Sequence, residues 1–182
     1  MHHYAIHTLD TAPEKSRPSL AALKQNFGLI PNLAATMAES PTLVNGFVGA
    51  LANFMGGSFN GAERQVLLLT NAVTNRCAWA VAFHSTAALK EGVAEAEVEA
   101  IRDARLPKER RLAALSALTR NLIEKRGHLD EKALADFTGA GFAPAQVLEV
   151  IAGLAASVMA NYAGNITKPP LEAPFEAQAW RV

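Results

Sequence analysis

Apolar residues recur three and four positions apart along most of the chain, and no stretch alternates apolar and polar positions as a half-buried strand would. Glycines and prolines fall where helices start and stop. Pro18 at a first helical position and Gly28 after Phe27 bracket one helix. Ser40-Pro41 opens a second that runs to Gly56-Gly57. Asn60 with Glu63 three residues on has capping-box spacing and starts a third, through Thr74. Asn75 is read as the cap of a fourth, which carries Cys77 and His84 and stops at Gly92. Further helices are predicted over 94–104, from Pro107 to Gly127, from Asp130 to near Gly139, and from Pro144 to about Asn165. The tail from Lys168, with Pro169, Pro170 and Pro174, is expected to run extended over the surface. The pattern reads as one all-α domain over 1–182, its helical core at 17–166 and its extended tail at 167–182.

Three segments are apolar around most of their circumference: 42–55, 66–73 and 147–159. A domain of this size has a limited interior, so these faces are expected to be buried against another subunit. Gly46, Gly49, Gly153 and Ala156 would permit close helix approach. A homo-oligomer is therefore expected. Gly92-Val93-x-x-Ala96-x-Val98-x-x-Ile101 is echoed by Gly141-Phe142-x-x-Ala145-x-Val147-x-x-Val150, which shared capping chemistry explains better than duplication.

Composition narrows the function. Thirty-six of the 182 residues are alanine, the best helix former. Seventeen Lys and Arg balance seventeen Asp and Glu, so there is no cationic excess for a nucleic-acid partner. The uncharged runs 40–62 and 150–167 are broken by Asn and Gly, which favours buried helices over membrane spans. The N-terminus lacks the apolar run of a signal peptide, and a cytoplasmic location is expected. One cysteine excludes an intrachain disulfide and an all-cysteine metal site. His2, His3 and His7 read as a solvated terminus, and neither metal-ligand spacing nor a phosphate-cradling loop is present, so no metal or cofactor is expected.

The segment from Glu63 to His84 concentrates the chemistry. Cys77 and His84 lie seven residues apart, two turns of one helix, and share a face. A cysteine in a first helical turn meets free N–H groups and the positive end of the helix dipole, which favour thiolate, and Arg76 adds a charge. His84 titrates near neutral pH and suits proton transfer. Glu63, on the preceding helix, is expected to approach the thiol when the two helices fold back on each other. Each residue also has a plain structural reading: Glu63 as capping-box carboxylate, Cys77 as a small buried hydrophobe, His84 as a hydrogen-bonded core residue.

Glu63 followed by Cys77-x-x-Ala80-x-x-x-His84 and the Gly92 stop resembles the signature of the carboxymuconolactone decarboxylase/alkylhydroperoxidase D (AhpD) superfamily, in which a Glu precedes Cys-x-x-Cys-x-x-x-His by about a dozen residues. Phe27-Gly28-Leu29-Ile30-Pro31-Asn32-Leu33, then Met37-Ala38-Glu39-Ser40-Pro41, and Asn161-Tyr162-x-x-Asn165-Ile166 with Pro170-Leu171 and Phe175, are similar to its peroxidase-related branch. The resemblance implies an AhpD-like helical bundle, assembled as a dimer, trimer or hexamer. It assigns Glu63 as relay carboxylate, Cys77 as first cysteine and His84 as relay histidine.

The second cysteine, to which the resemblance gives the attack on peroxide, is replaced by Ala80. A dithiol site forms a sulfenic acid and resolves it to a disulfide, and alanine does neither. Three readings follow. One is a thiol-dependent antioxidant in which Cys77 alone reduces a hydroperoxide and an external thiol reductant regenerates it. The second is a cofactor-free decarboxylase of a lactone acid, with protonated His84 as general acid and Arg64 and Arg76 as the nearest cations for the anionic substrate. The third is a catalytically inactive helical oligomer. The first requires a reachable Cys77 of lowered pKa.

Overall fold

The structure, a computed structural model, describes residues 4–181, so His2 and His3 lie outside the described residues. Nine α-helices and two 3₁₀ turns make up the regular structure of these residues, and no strand occurs among them. The helices are α1 (Arg17–Phe27), α2 (Asn32–Met37), α3 (Pro41–Met55), α4 (Gly61–Thr74), α5 (Ala78–Lys90), α6 (Glu95–Arg102), α7 (Arg110–Glu124), α8 (Glu131–Gly139) and α9 (Pro144–Thr167). The 3₁₀ turns are Glu14–Ser16 and Ala173–Gln178.

Most boundaries follow the local chemistry that predicts them. Ser40 caps α3 by accepting from the Leu43 N–H, and Asp130 caps α8 by accepting from that of Ala133. Gly28 ends α1 in the left-handed conformation, at φ 76°. Three expectations are corrected, and one helix, α2, was not anticipated. The expected helix from Pro107 begins at Arg110, because the Glu97 carboxylate takes the N–H groups of Lys108 and Glu109 and holds that stretch against α6. Asn75 ends α4, and the cap position of α5 is Cys77 itself. Helix α2 has no capping side chain, and Leu33 through Met37 are all buried, so no amphipathic period announces it. The tail is only partly extended: its 3₁₀ turn buries Phe175.

Helix α4 is the centre of the domain. Every residue from Val66 to Val73 is buried, against α5, α7, α9 and α6. Its apolar circumference is thus satisfied within the chain and needs no second subunit. Helices α3 and α9 differ: Met55 on α3 and Leu148, Ile151, Tyr162 and Ile166 on α9 remain exposed. Helix α9 is long and apolar enough to cross a membrane, and half of that window is buried in the bundle. Its buried side carries Val150, Gly153, Ser157, Asn161 and Gly164.

Gly153 is where α9 approaches α3 and α4 most tightly. A Cβ there would stand 2.7 Å from a ring carbon of Phe54 and 3.0 Å from Leu67. Gly49 on α3 has nothing within 4 Å of an added Cβ. Gly153→Ala is therefore expected to destabilise the fold by about 1–3 kcal/mol through overpacking. Gly49→Ala is expected to be neutral or stabilising by up to about 1 kcal/mol through helix propensity. Urea midpoints of the two variants check the pair.

Candidate active site

Helices α4 and α5 form an antiparallel hairpin that pivots on Asn75 and Arg76. Arg76 sits in the left-handed region at φ 54°, and the Cys77 N–H donates to the Ala72 carbonyl, closing the end of α4. Seven residues further out on each arm, His84 and Gln65 meet. This register decides which expected site residues come together. Glu63 is fourteen residues from Cys77 at the opposite end of α4, roughly 21 Å at 1.5 Å per residue. The expected approach of Glu63 to the thiol does not occur.

The Glu63 side chain is buried and both its oxygens are engaged. One accepts from the Asn60 N–H at 3.0 Å, completing the capping box, and the other from Arg111 Nε at 2.5 Å. Arg111 in turn lies 3.7 Å over the Phe142 ring and donates to the Gly141 carbonyl. Glu63 is thus the capping-box carboxylate of its structural reading, and through Arg111 it also joins α4 to α7 and to the turn before α9.

Cys77 is 1% exposed. A Cβ added at Gly164 would lie 2.7 Å from the sulfur and 3.3 Å from Leu33, so α9 and α2 close over the thiol. Burial raises the thiol pKa from its ordinary value, outweighing the Ala80 and Trp79 N–H groups at the start of α5, which act to lower it. The expectation of a reachable Cys77 with a lowered pKa is corrected: desolvation wins over the helix end.

Beside α5 lies a cavity of about 90 Å³, between α1, α2, α3, α4, α5 and α9. Ala80 opens onto it, whereas Cys77 is not among its lining residues. Trp79 and Phe83, stacked with ring centroids 5.3 Å apart and planes at 14°, form an aromatic wall. The tail holds this wall: Glu172 accepts from Trp79 Nε1 at 3.0 Å and from the Asn32 N–H at the start of α2, while Phe175 packs edge-on against both rings. The lining is apolar except for Gln65, His84 and Ser157.

His84 Nδ1 lies 3.0 Å from Gln65 Oε1. A carboxamide oxygen only accepts, so Nδ1 carries the hydrogen and Nε2 keeps a free lone pair. Nε2 has no partner among the described residues. Burial pushes the His84 pKa from 6.5 down to about 3. The expected protonated general acid is thereby corrected: at neutral pH His84 is an uncharged acceptor. Arg64 and Arg76 do not line the cavity, so it offers no cation to an anionic lactone acid.

Gln65, passed over in the sequence, is twelve residues before Cys77. It occupies the place beside the imidazole that the resemblance gives to a carboxylate. No sequence signal marked it, because the hairpin register that pairs residue 65 rather than 63 with residue 84 is set by the fold.

A helical bundle with an imidazole facing an apolar internal cavity, beside the cap cysteine of the same helix, defines an AhpD-like scaffold. Residues 38–120 match the carboxymuconolactone decarboxylase family, and the fold is AhpD-like. Among solved structures it is similar to an AhpD-core, peroxidase-related protein from Ralstonia eutropha JMP134 (17% identity, 95% and 93% of the two chains covered, TM-score 0.82). It is also similar to the debrominase Bmp8 as a cysteine-to-alanine variant with 2,3,4-tribromopyrrole (18%, 98% and 96%, TM-score 0.78). A third is a peroxidase-related protein from Silicibacter sp. TM1040 (14%, 96% and 93%, TM-score 0.77). No curated protein matches the sequence.

Two measurements check the site. The depressed His84 pKa means the unfolded state binds the extra proton between about pH 3 and 6.5. Stability is therefore present above 6.5 and falls as pH drops through that window; His84→Gln should flatten the slope of urea stability against pH. Gln65→Glu sets an anion against Nδ1, so the imidazole ¹⁵N resonances, static from pH 8 to 5 in the parent, should titrate in the variant.

Proposed function

We propose that this chain is a cofactor-free, AhpD-like enzyme that takes a small apolar substrate into the cavity and uses His84 Nε2 as proton acceptor, with no part for the thiol in the chemistry. The observation that carries the reading is the neutral imidazole, locked by Gln65 with its lone pair free, at the polar end of an otherwise apolar cavity. A base in such a site is available at every pH above its own pKa and meets its substrate without competing bulk water. Two departures from the family signature support leaving the thiol out: Ala80 removes the sulfur that would open on the cavity, and Gln65 removes the carboxylate beside the histidine. The debrominase of the same fold, crystallised with a brominated pyrrole, accords with a small ring as substrate. The α9 face with Leu148, Ile151, Tyr162 and Ile166 supports a homo-oligomer, with a second copy of the chain as partner.

A neutral probe tests the base directly. In nitrobenzisoxazole a base removes the ring C–H proton, the C–H electron pair becomes part of a nitrile, and the N–O bond breaks to leave a cyano-nitrophenolate, so nothing is oxidised or reduced overall. The expected result is catalysed release of phenolate, independent of pH above about 5, reduced at least tenfold in His84→Leu and unchanged in Cys77→Ser. Equal rates in His84→Leu and the parent would sink the reading.

One observation favours the single-cysteine peroxidase: the Trp79 and Ala80 N–H groups act on the sulfur in the direction of thiolate. On that reading cumene hydroperoxide is consumed with dithiothreitol as external reductant, and the activity vanishes in Cys77→Ser. The burial of Cys77 predicts the opposite: iodoacetamide labels the native protein at pH 8 at least tenfold more slowly than the urea-unfolded chain, and peroxide consumption stays at background in both proteins.

A further inference from the structure

The cavity restricts the charge, size and hydrogen bonding of its occupant, and the inference below rests on the cavity being the substrate site. No charged side chain lines it among the described residues. An ion entering would give up its hydration with nothing in return, a cost of several kcal/mol. Anionic and cationic substrates are thus selected against by the walls alone. At about 90 Å³ the cavity exceeds several-fold the roughly 15 Å³ that one water needs, and falls well short of the ~300–1,000 Å³ of pockets for drug-sized ligands. The occupant is therefore a small molecule, extending toward a mouth flanked by Phe27 and Met55, both partly exposed.

Two features orient it. The stacked Trp79 and Phe83 rings, tied from behind by Glu172 and Phe175, line the cavity with aromatic surface, and a ring occupant packs favourably against aromatic faces and edges. His84 Nε2 is the free acceptor at the polar end, since Nδ1 is spent on Gln65. An apolar molecule lacking a donor leaves that acceptor dry and unpaired; one with a donor pairs it. We propose that the cavity selects a small, uncharged, largely apolar ring compound, and that an O–H or N–H donated to His84 Nε2 raises its affinity over the same ring without one. Gln65 is the positioning residue for this selectivity, because it decides which imidazole nitrogen accepts.

The test uses three probes of similar size: phenol, a neutral ring with a donor; toluene, the same shape without one; and benzoate, an anion. Dissociation constants are measured at pH 7 by ligand-observed NMR on the full-length protein. In the parent, phenol is expected to bind and benzoate to bind at least tenfold more weakly. In His84→Leu, phenol affinity is expected to fall at least fivefold while toluene affinity changes by less than twofold. Should that variant fail to fold, the parent supplies the second readout: phenol shifts the His84 Nε2 ¹⁵N resonance and toluene does not. Benzoate binding as tightly as phenol, equal losses of phenol and toluene in His84→Leu, or an unmoved Nε2 resonance on phenol binding each overturn the proposal, as does absence of phenol binding. A protein that discriminates these probes yet leaves nitrobenzisoxazole untouched would keep this ligand class and lose the catalytic reading, so the two fail separately.

Discussion

A helix with no face toward solvent governs this molecule. From Val66 to Val73 helix α4 is enclosed by its neighbours; Thr70 and Asn71 within that stretch pair inside the fold, with Ser116 and the Leu154 carbonyl, and the helix is anchored at its two ends. At the N-terminal end the buried Glu63 meets the Asn60 amide and the Arg111 guanidinium, and through Arg111 it reaches Phe142 and Gly141. At the other end Arg76 adopts a left-handed conformation and Cys77 returns its N–H to Ala72. With both ends tied, the register of α4 against α5 has no freedom. That register places Gln65 against His84.

The chemistry of the cavity follows from this register together with its walls. Ala80 and the stacked Trp79 and Phe83 are presented by α5, Ser157 and Ala160 by α9, and Leu33 and Ala34 by α2. The polar groups of the lining are the Gln65 amide, the His84 imidazole and the Ser157 hydroxyl. An amide partner leaves the imidazole neutral, where a carboxylate would stabilise its cation. Cys77, by contrast, is covered by Gly164 and Leu33 and does not line the cavity. Carboxylate, thiol and imidazole, which a dithiol peroxidase couples, are distributed here among a structural ion pair, a sealed core position and an open cavity.

The C-terminal tail contributes more than cover. Glu172 bridges the Trp79 indole and the unpaired N–H at the start of α2, and so supplies from a distance the capping partner that α2 lacks in its own sequence. Phe175 completes an aromatic group with Trp79 and Phe83. Arg102 donates to the Gln178 and Ala179 carbonyls and holds the far end of the tail against α6. The aromatic wall of the cavity is thus set by residues almost a hundred positions apart.

Local chemistry alone determined that the chain is all helical, and most helix ends, because caps, glycine stops and the Asn60–Glu63 box act over three or four residues. It also marked His84, whereas the loss of sulfur at position 80 was legible only through the family resemblance. It was silent on α2, whose residues are buried all round and show no period. It misassigned Glu63, because a carboxylate three residues after a cap serves the helix start equally well. Only the tertiary structure decided which residue meets His84, whether the sulfur is wet or dry, and which charge the imidazole carries. Hairpin register, desolvation and cavity shape arise from segments brought together across the fold, and no short-range pattern encodes them.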